Sequence, residues 1–396
     1  MEAKVFTHMP TQQVVIPGYP LITGTDAAAT AMHAAVVSAR ERRRTRAADP
    51  WNGLIEDEAL RQSFSVTYGE SFVWSPTQLE EMAKCPWSWF ASRQLRLTEE
   101  DEAEDGMTHA LAGTLRHDAL DRFFAAARAQ RGVEAVYLRP EDASWVLPLA
   151  KEAVAEAWEA AARHVWMGDP VMHDLVRAEL QETIEGYLQF EMQFNEKSTD
   201  GRTNAGKQLR TGAIAGELKF DGITVTVGDT SFRLRGSVDR VDRCVDDRFP
   251  DVGNFIAAID YKSSRYATPG GGEKKAWKDG VVLQIPLYAA VLQQLYPEAR
   301  LSHIEYRTLR SPAVVHQLKF VKVSAEKGKK GKSVTTQEGS EVEMELALQS
   351  AARKVELARA ATLPTMPTAS CGCSPYCAAR DVCRIPGGPV STGFTR

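Results

Sequence analysis

The hydrophobic and polar positions divide the chain into a helical half and a strand-rich half. Residues 1–30 show no period and read as an arm or loop. Residues 26–46 are Ala-rich and end in a basic run of Arg40, Arg42, Arg43, Arg44 and Arg46, where cations suit the end of a helix dipole. A further helix is expected to open at Ser75 with Pro76 in its first position, and to run into Cys85-Pro86, where the proline predicts a break or turn. The acidic stretch from Glu99 to Asp105 reads as a loop, and residues 107–130, 141–166 and 171–195 carry helical patterns. The character then changes. Residues 213–227, 232–243 and 255–262 favour strands, 280–296 a helix, and 302–308 and 314–323 strands again. Lys- and Gly-rich residues 325–339 read as a mobile loop, and 341–361 as a helix of mixed charge.

Helices leading into such a run of strands predict a mixed α/β architecture. The expected organisation is an N-terminal arm and helix over 1–70, a helical region over 71–200, a mixed core over 201–325, and a loop, helix and cysteine tail over 326–396.

Composition narrows the classes. The 396 residues suffice for two or three domains, and 43% apolar with 25% charged residues is an ordinary globular balance. No run of about 18 apolar residues occurs, so no membrane span is expected. The opening MEAKVFTHMPTQQ lacks a secretory pattern, and a cytoplasmic location is expected. A net charge of −4 does not advertise nucleic acid, but it leaves room for a local basic groove. The cysteines are Cys85, Cys244, Cys371, Cys373, Cys377 and Cys383. Clustered thiols in a reducing compartment suggest metal or iron–sulfur ligation more than disulfides. Spacing alone leaves a 4Fe–4S cluster and a structural zinc site with all-cysteine ligands equally open. Cys244 has no partners in sequence and reads as a small buried residue.

The candidate chemistry starts at Phe255-Ile256-Ala257-Ala258-Ile259-Asp260-Tyr261-Lys262, an apolar run ending in charge. In a strand, Asp260 and Lys262 share a face. A carboxylate there could hold a divalent metal, and the ammonium could orient water or stabilise developing negative charge. Upstream, Asp239 shares a face with Ser237 and Arg235. Two carboxylates on adjacent strands repel unless a cation sits between them, a role that Mg²⁺ fills with oxygen ligands. Glu217 lies in another strand-like run, His117 in a helical pattern, and Gln284 and Tyr288 share a helix face as an i, i+4 pair.

In order, His117, Glu217, Gly236-Ser237-Val238-Asp239-Arg240-Val241-Asp242, Asp260-Tyr261-Lys262 and Gln284-Ile285-Pro286-Leu287-Tyr288 resemble the RecB-like branch of the PD-(D/E)XK nucleases. Ser75-Pro76-Thr77-Gln78-Leu79, Cys85-Pro86 and Phe90 resemble the opening motif of that family, and the likeness covers roughly 75–385. It implies a restriction-endonuclease-like core, a mixed central sheet flanked by helices. By the resemblance, His117, Asp239 and Asp260 are metal ligands for Mg²⁺ or Mn²⁺, Lys262 is the catalytic lysine and Glu217 a supporting acid. Gln284 and Tyr288 would organise the site or contact DNA.

Cys85 with Cys373, Cys377 and Cys383 resembles the iron–sulfur subgroup of these nucleases, the AddB type, with Cys371 as an alternative to Cys373. That implies a 4Fe–4S cluster stapling the tail to the N-terminal helices. Treated as a crosslink, the staple removes unfolded-state entropy worth about 5 kcal/mol. Arg265, Lys274, Lys275 and Lys278 around Tyr266 and Trp277 combine cations with aromatic faces, which suits single-stranded DNA. Trp87, Trp89 and Phe90 read as core or cluster-shielding residues.

The resemblance implies a metal-dependent DNA exonuclease on single strands or ends, with 5′ polarity as in other iron–sulfur members. No G-x-x-x-x-G-K-[ST] pattern occurs, so the chain is not expected to be a helicase motor itself; the resemblance to AddB-type nucleases implies a separate helicase or ATPase partner subunit, with the first 70 residues as its docking arm. The alternative reading is a catalytically silent iron–sulfur module for DNA binding or assembly. A third is a zinc-stapled regulatory protein without nucleic acid.

Overall fold

The computed structural model describes residues 53–97, 107–197, 209–244, 254–264, 280–325, 332–336 and 339–365, two short paired strands at 13–14 and 22–23, and Cys377, Ala379 and Cys383. The chain forms two compact units: Met1–Gly69, Glu81–Glu100 and Arg353–Arg396 make one, and Glu70–Glu80 and Asp101–Ala352 the other.

In the first unit, helix α1 (Glu58–Thr67) is capped by Asp57, whose side chain accepts from the Leu60 N–H at 2.9 Å. The cap supplies one of the acceptors that a helix start lacks. The unit also holds the end of α2 (Pro76–Lys84) and all of α3 (Pro86–Arg93). The expected break is there: α2 ends at Lys84, Cys85 is extended, and Pro86 opens α3, where its fixed φ and missing N–H cost nothing. Trp89 packs against Tyr68 at 5.2 Å between ring centroids, and Trp87 against Phe90 at 5.5 Å. The two ends of the unit are joined by backbone, Leu363 N–H donating to Gly53 at 2.7 Å.

The second unit is built on a mixed sheet. Val73–Trp74 (β1) pairs parallel with the start of β3 (Thr230–Arg243), and β2 (Gly212–Val227) runs antiparallel along the length of β3. Gly228 at φ 58° and Asp229 turn the β2–β3 hairpin, a position where glycine takes positive φ without strain. β3 then pairs antiparallel with β4 (Phe255–Lys262), and β4 pairs parallel with β5 (Arg300–Thr308). Parallel neighbours need a crossover, and α7 (Gln284–Leu295) lies within it. β6 (Ala313–Lys319) closes the sheet antiparallel to β5. Lys332–Thr336 (β8) pairs with Val321–Ala325 (β7), so part of the segment whose composition reads as a mobile loop is a hairpin strand. Its Val334, Thr335 and Thr336 suit a strand despite the lysines around them.

Helices α4 (His109–Arg131), α5 (Ala143–Ala162) and α6 (His173–Lys197) pack together, and Ile259 and Tyr261 of β4 join their core. α4 begins at Thr108, which accepts from Leu111 N–H, and ends at Gly132 in the left-handed conformation. Its buried apolar residues, Leu115, Ala119, Leu120, Phe123, Phe124 and Ala127, recur at helical spacing. The last helix among the described residues is α8 (Gly339–Arg359).

A closed charge network lies within this core. The Arg240 guanidinium donates to both oxygens of Asp242 at 2.6 Å, to Glu191 at 2.7 Å and to the Tyr261 hydroxyl at 3.2 Å. Arg307 donates to Glu305 at 2.6 Å and also to Glu191. Burial pushes the Glu191 carboxyl up, but the two guanidiniums outweigh it and bring it down to about 2.

Candidate active site

Alternation along β3 and β4 sends successive side chains to opposite faces. Arg240, opposite Ile259, faces the α4–α6 core, and so does Tyr261; Asp239, Asp260 and Lys262 therefore face the other way. Asp239 Oδ2 accepts the Tyr261 N–H at 2.7 Å, which ties the two strands together just beyond their last ladder pair.

Glu217 is brought in by β2, at the position opposite Asp239. It lies between the pairs Gly216–Arg240 and Leu218–Val238, with φ at 43°. Positive φ is strained for a residue with a Cβ, and such strain persists where the surroundings over-determine it. The Ser237 hydroxyl donates to Glu217 Oε2 at 2.9 Å. From α4, His117 Nδ1 stands 3.5 Å from Asp239 Oδ2 and 3.9 Å from Glu217 Oε1. One ligand atom each from His117, Glu217 and Asp239 fit within 4.8 Å of one another. Glu217, read from sequence as a supporting acid, thus stands among the nearest ligand atoms.

Asp260 is 1% exposed. Lys262 Nζ lies 2.6 Å from its Oδ2, yet neither carboxylate oxygen has an aligned hydrogen-bond partner. Burial, then the Asp239 carboxylate, pushes the Asp260 carboxyl up to about 7 against the pull of Lys262. Burial works against the His117 imidazolium, but Asp239, with Asp260 and Glu217, outweighs it and raises its pKa above the ordinary value. Burial likewise works against the Lys262 ammonium, and Asp260, Asp239 and Glu80 outweigh it, so the lysine stays charged. Burial raises Glu217, the Ser237 hydrogen bond opposes this, and Asp239 adds to the rise.

Lys262 Nζ donates to Gln284 Oε1 at 3.1 Å and lies 4.8 Å from the centre of the Tyr306 ring. Gln284 Nε2 donates to the Tyr288 hydroxyl at 3.0 Å. The structure thus brings together His117, Glu217, Asp239, Asp260, Lys262, Gln284 and Tyr288. Sequence reasoning missed Tyr306, which no motif singled out, and Glu80, whose Oε1 accepts from the backbone of Leu283 and Gln284.

Arg265, Lys274, Lys275, Trp277, Lys278, Cys371 and Cys373 lie outside the described residues. Within the first unit, Cys85 is the N-cap of α3, and Cys377 Sγ lies 3.3 Å from the hydroxyl of Ser88 in that helix's first turn. The Cys383 N–H donates to Ala379 at 2.7 Å. Cys244, in the second unit, is fully buried, and burial holds its thiol well above the ordinary range, as suits an inert core residue.

Over residues 73–384 the sequence matches the profile of the PD-(D/E)XK nuclease superfamily. The chain belongs to that superfamily. This PD-(D/E)XK chain is also similar to the B-type component of an ATP-dependent helicase/deoxyribonuclease from Enterococcus faecalis, at 26% identity over 52% of the chain and 16% of that protein. The protein of the same name from Moorella thermoacetica is 25% identical over 61% of the chain and 20% of its own length. The chain therefore matches only about a fifth or less of each relative. The mixed sheet with helices around it is the architecture expected of a PD-(D/E)XK core. No described helix is long and apolar enough to cross a membrane.

The residues of the site fit a divalent cation. The buried Asp260 carboxylate meets the Lys262 ammonium as an ion pair without an aligned hydrogen bond, which leaves it acceptor capacity for a cation. One imidazole nitrogen and several carboxylates form a donor set suited to Mg²⁺ or Mn²⁺.

Proposed function

We propose that this PD-(D/E)XK chain is a metal-dependent DNA nuclease, acting as an exonuclease on single strands or DNA ends. The observation that carries the reading is Asp260: a buried carboxylate with no aligned hydrogen bond, against a charged lysine and beside Asp239. His117, Asp239 and Asp260 would hold Mg²⁺ or Mn²⁺, with Glu217 supporting. When bound, the ion supplies positive charge to the phosphodiester oxygens and lowers the pKa of a coordinated water.

The protein groups do the rest. Asp239 holds its orientation through the Tyr261 N–H. Lys262 presents an ammonium at the rim of the acidic cluster, where it stabilises charge developing on the phosphoryl group and orients the attacking water. Gln284, itself bonded to Tyr288, steers that ammonium. Fixed positions and fixed charge carry the catalysis, with no covalent nucleophile. Arg265, Lys274, Lys275, Trp277 and Lys278 are the proposed contacts to the DNA strand, from their residue types.

A 4Fe–4S cluster on Cys85, Cys377, Cys383 and Cys373, or Cys371 in its place, is the proposed staple of the first unit. Its support is the approach of Cys377 to the first turn of the helix that Cys85 caps. The relatives' name, which pairs a helicase with a deoxyribonuclease, supports work with a helicase partner.

Anaerobically purified chain, incubated with end-labelled single- and double-stranded DNA and Mg²⁺ or Mn²⁺, tests the reading. Metal-dependent cleavage that Lys262→Ala abolishes is expected, and the label released gives the polarity. Cleavage that survives Lys262→Ala, or none by the wild type with a helicase partner present, refutes it. Iron content and visible absorbance test the cluster separately, and zinc in its place refutes that part.

A further inference from the structure

We infer that Glu80 is a positioning residue that sets the active-site lysine through the N-terminus of α7, an inference that rests on the nuclease reading. The start of a helix leaves backbone N–H groups without acceptors. In α7 the N-cap is Leu283, which has no side-chain acceptor to offer. Pro286, in the same first turn, has no N–H to satisfy. The two N–H groups at the very start are met from elsewhere in the chain. Glu80 Oε1, on α2, accepts from Leu283 N–H at 2.8 Å and from Gln284 N–H at 2.9 Å. The bonds span 203 and 204 positions of sequence, and Glu80 is 8% exposed. A carboxylate at this end of a helix also meets the positive end of its dipole.

The residue so pinned is the one that meets the lysine. Gln284 is the first residue of α7, and its side-chain oxygen accepts from Lys262 Nζ at 3.1 Å and from the Tyr306 hydroxyl at 3.4 Å. The only other oxygen close to that ammonium among the described contacts is Asp260 Oδ2. One buried carboxylate therefore fixes the backbone of Gln284, and the Gln284 side chain fixes the distance of the ammonium from Asp260. Without the cap, the first turn of α7 can fray, and the lysine is left to its carboxylate alone. Displacing a reacting group lowers the rate without changing what binds.

The test compares the full-length chain with Glu80→Met, which keeps side-chain length but removes the acceptor, and Glu80→Gln, which keeps the acceptor oxygen. Glu80→Asp, which withdraws the acceptor by one methylene, carries the same test if the Met variant fails to fold. With Mn²⁺ and end-labelled single-stranded DNA, Glu80→Met should lower kcat by roughly 10- to 100-fold at unchanged KM and unchanged Mn²⁺ affinity. Glu80→Gln should restore kcat to within about threefold of wild type, because the cap survives. Amide hydrogen exchange at Leu283 and Gln284 should quicken in Glu80→Met and not in Glu80→Gln. The effects of Glu80→Met and Gln284→Ala should not add, since both act through one side chain.

Wild-type kcat in Glu80→Met, a change confined to KM, or additive losses overturn the inference. A loss in Glu80→Gln as deep as in Glu80→Met assigns the role to charge and overturns the cap. A wild-type chain that cleaves no DNA overturns the nuclease reading and the catalytic half of this inference with it. The exchange measurement still decides the cap in that case, and unchanged exchange in Glu80→Met overturns it whatever the activity.

Discussion

Acid should weaken divalent-metal binding at this site far more than at an ordinary carboxylate site. A metal ion competes with protons for its ligands, so affinity follows the fraction of ligand already deprotonated. The Asp260 carboxyl is raised from 3.8 to about 7, and His117 is raised above its ordinary 6.5. Between about pH 8 and about pH 6, a carboxyl titrating near 7 loses about tenfold of its ionised form, whereas an ordinary one loses almost none. The imidazole adds a factor of at least about fourfold over the same interval. Both effects have the same sign, since each ligand must give up a proton. Together they predict at least a roughly 40-fold rise in Kd, or about 2 kcal/mol. Calorimetric titration of the metal-free chain with Mn²⁺ at three pH values measures this directly. Asp260→Asn should bind more weakly and should retain only the imidazole's share of the pH slope. An affinity that is flat across this range, or a slope that Asp260→Asn leaves intact, would refute the reasoning.

The ionised Asp260 is itself a burden on the metal-free fold. Its raised pKa means that stability is lost as pH climbs from the ordinary carboxylate value through about 7, so at about pH 8 metal-free Asp260→Asn should be the more stable chain, by up to about 4 kcal/mol in denaturant unfolding. Glu191→Ala should do the reverse, costing about 3–5 kcal/mol in denaturant unfolding by leaving Arg240 and Arg307 without their shared carboxylate. Gly280→Ala should destabilise by about 1–3 kcal/mol in thermal unfolding: Gly280 has φ 62°, and a Cβ there would stand 1.8 Å from Ser350 Oγ. Cys377→Ala should lower iron content and melting temperature together, before any change in Mn²⁺ binding at Asp260.

Much of the frame was legible in the sequence because its period was clean. The strand read at 255–262 is the strand observed, Phe255–Lys262, and its alternation places Asp260 and Lys262 on one face. The helices at 107–130 and 171–195 are α4 and α6 within two residues at each end. What stayed hidden depended on tertiary contact. Glu217 was read as a supporting acid, but its positive φ and its place among the nearest ligand atoms beside His117 and Asp239 are announced by no residue type. Glu80 carries no signal of its own in the sequence, and its partners lie two hundred positions away. Pro86 signalled a break by its residue type alone, and its place at the first position of α3 emerged only from the backbone. The strand at Lys332–Thr336 was masked by the lysines and glycines around it.

The same two strands write both a structural charge layer and a reactive one, and hydrogen-bond satisfaction separates them. In Asp239-Arg240-Val241-Asp242 and Asp260-Tyr261-Lys262, alternate residues go to opposite faces. On the face toward α4 and α6, Arg240, Asp242, Glu191, Arg307 and Glu305 bond to one another and to Tyr187 and Tyr261. Those buried charges are matched by protein partners, and such a network specifies packing and registers the strands. On the opposite face, Asp260 lacks an aligned partner, His117 and Glu217 stand beside Asp239 at ion-pair distance, and the lysine is held by an amide oxygen that a distant carboxylate positions. A buried carboxylate met by one ammonium, without an aligned hydrogen bond, costs stability that the surrounding fold must supply. The matched layer beneath it is what can supply that stability, because it locks the strands that carry Asp239 and Asp260 in register. The stability of one face thus holds the other in a state that a cation relieves, which is the physical condition for a site that binds metal tightly and stays rigid enough to use it.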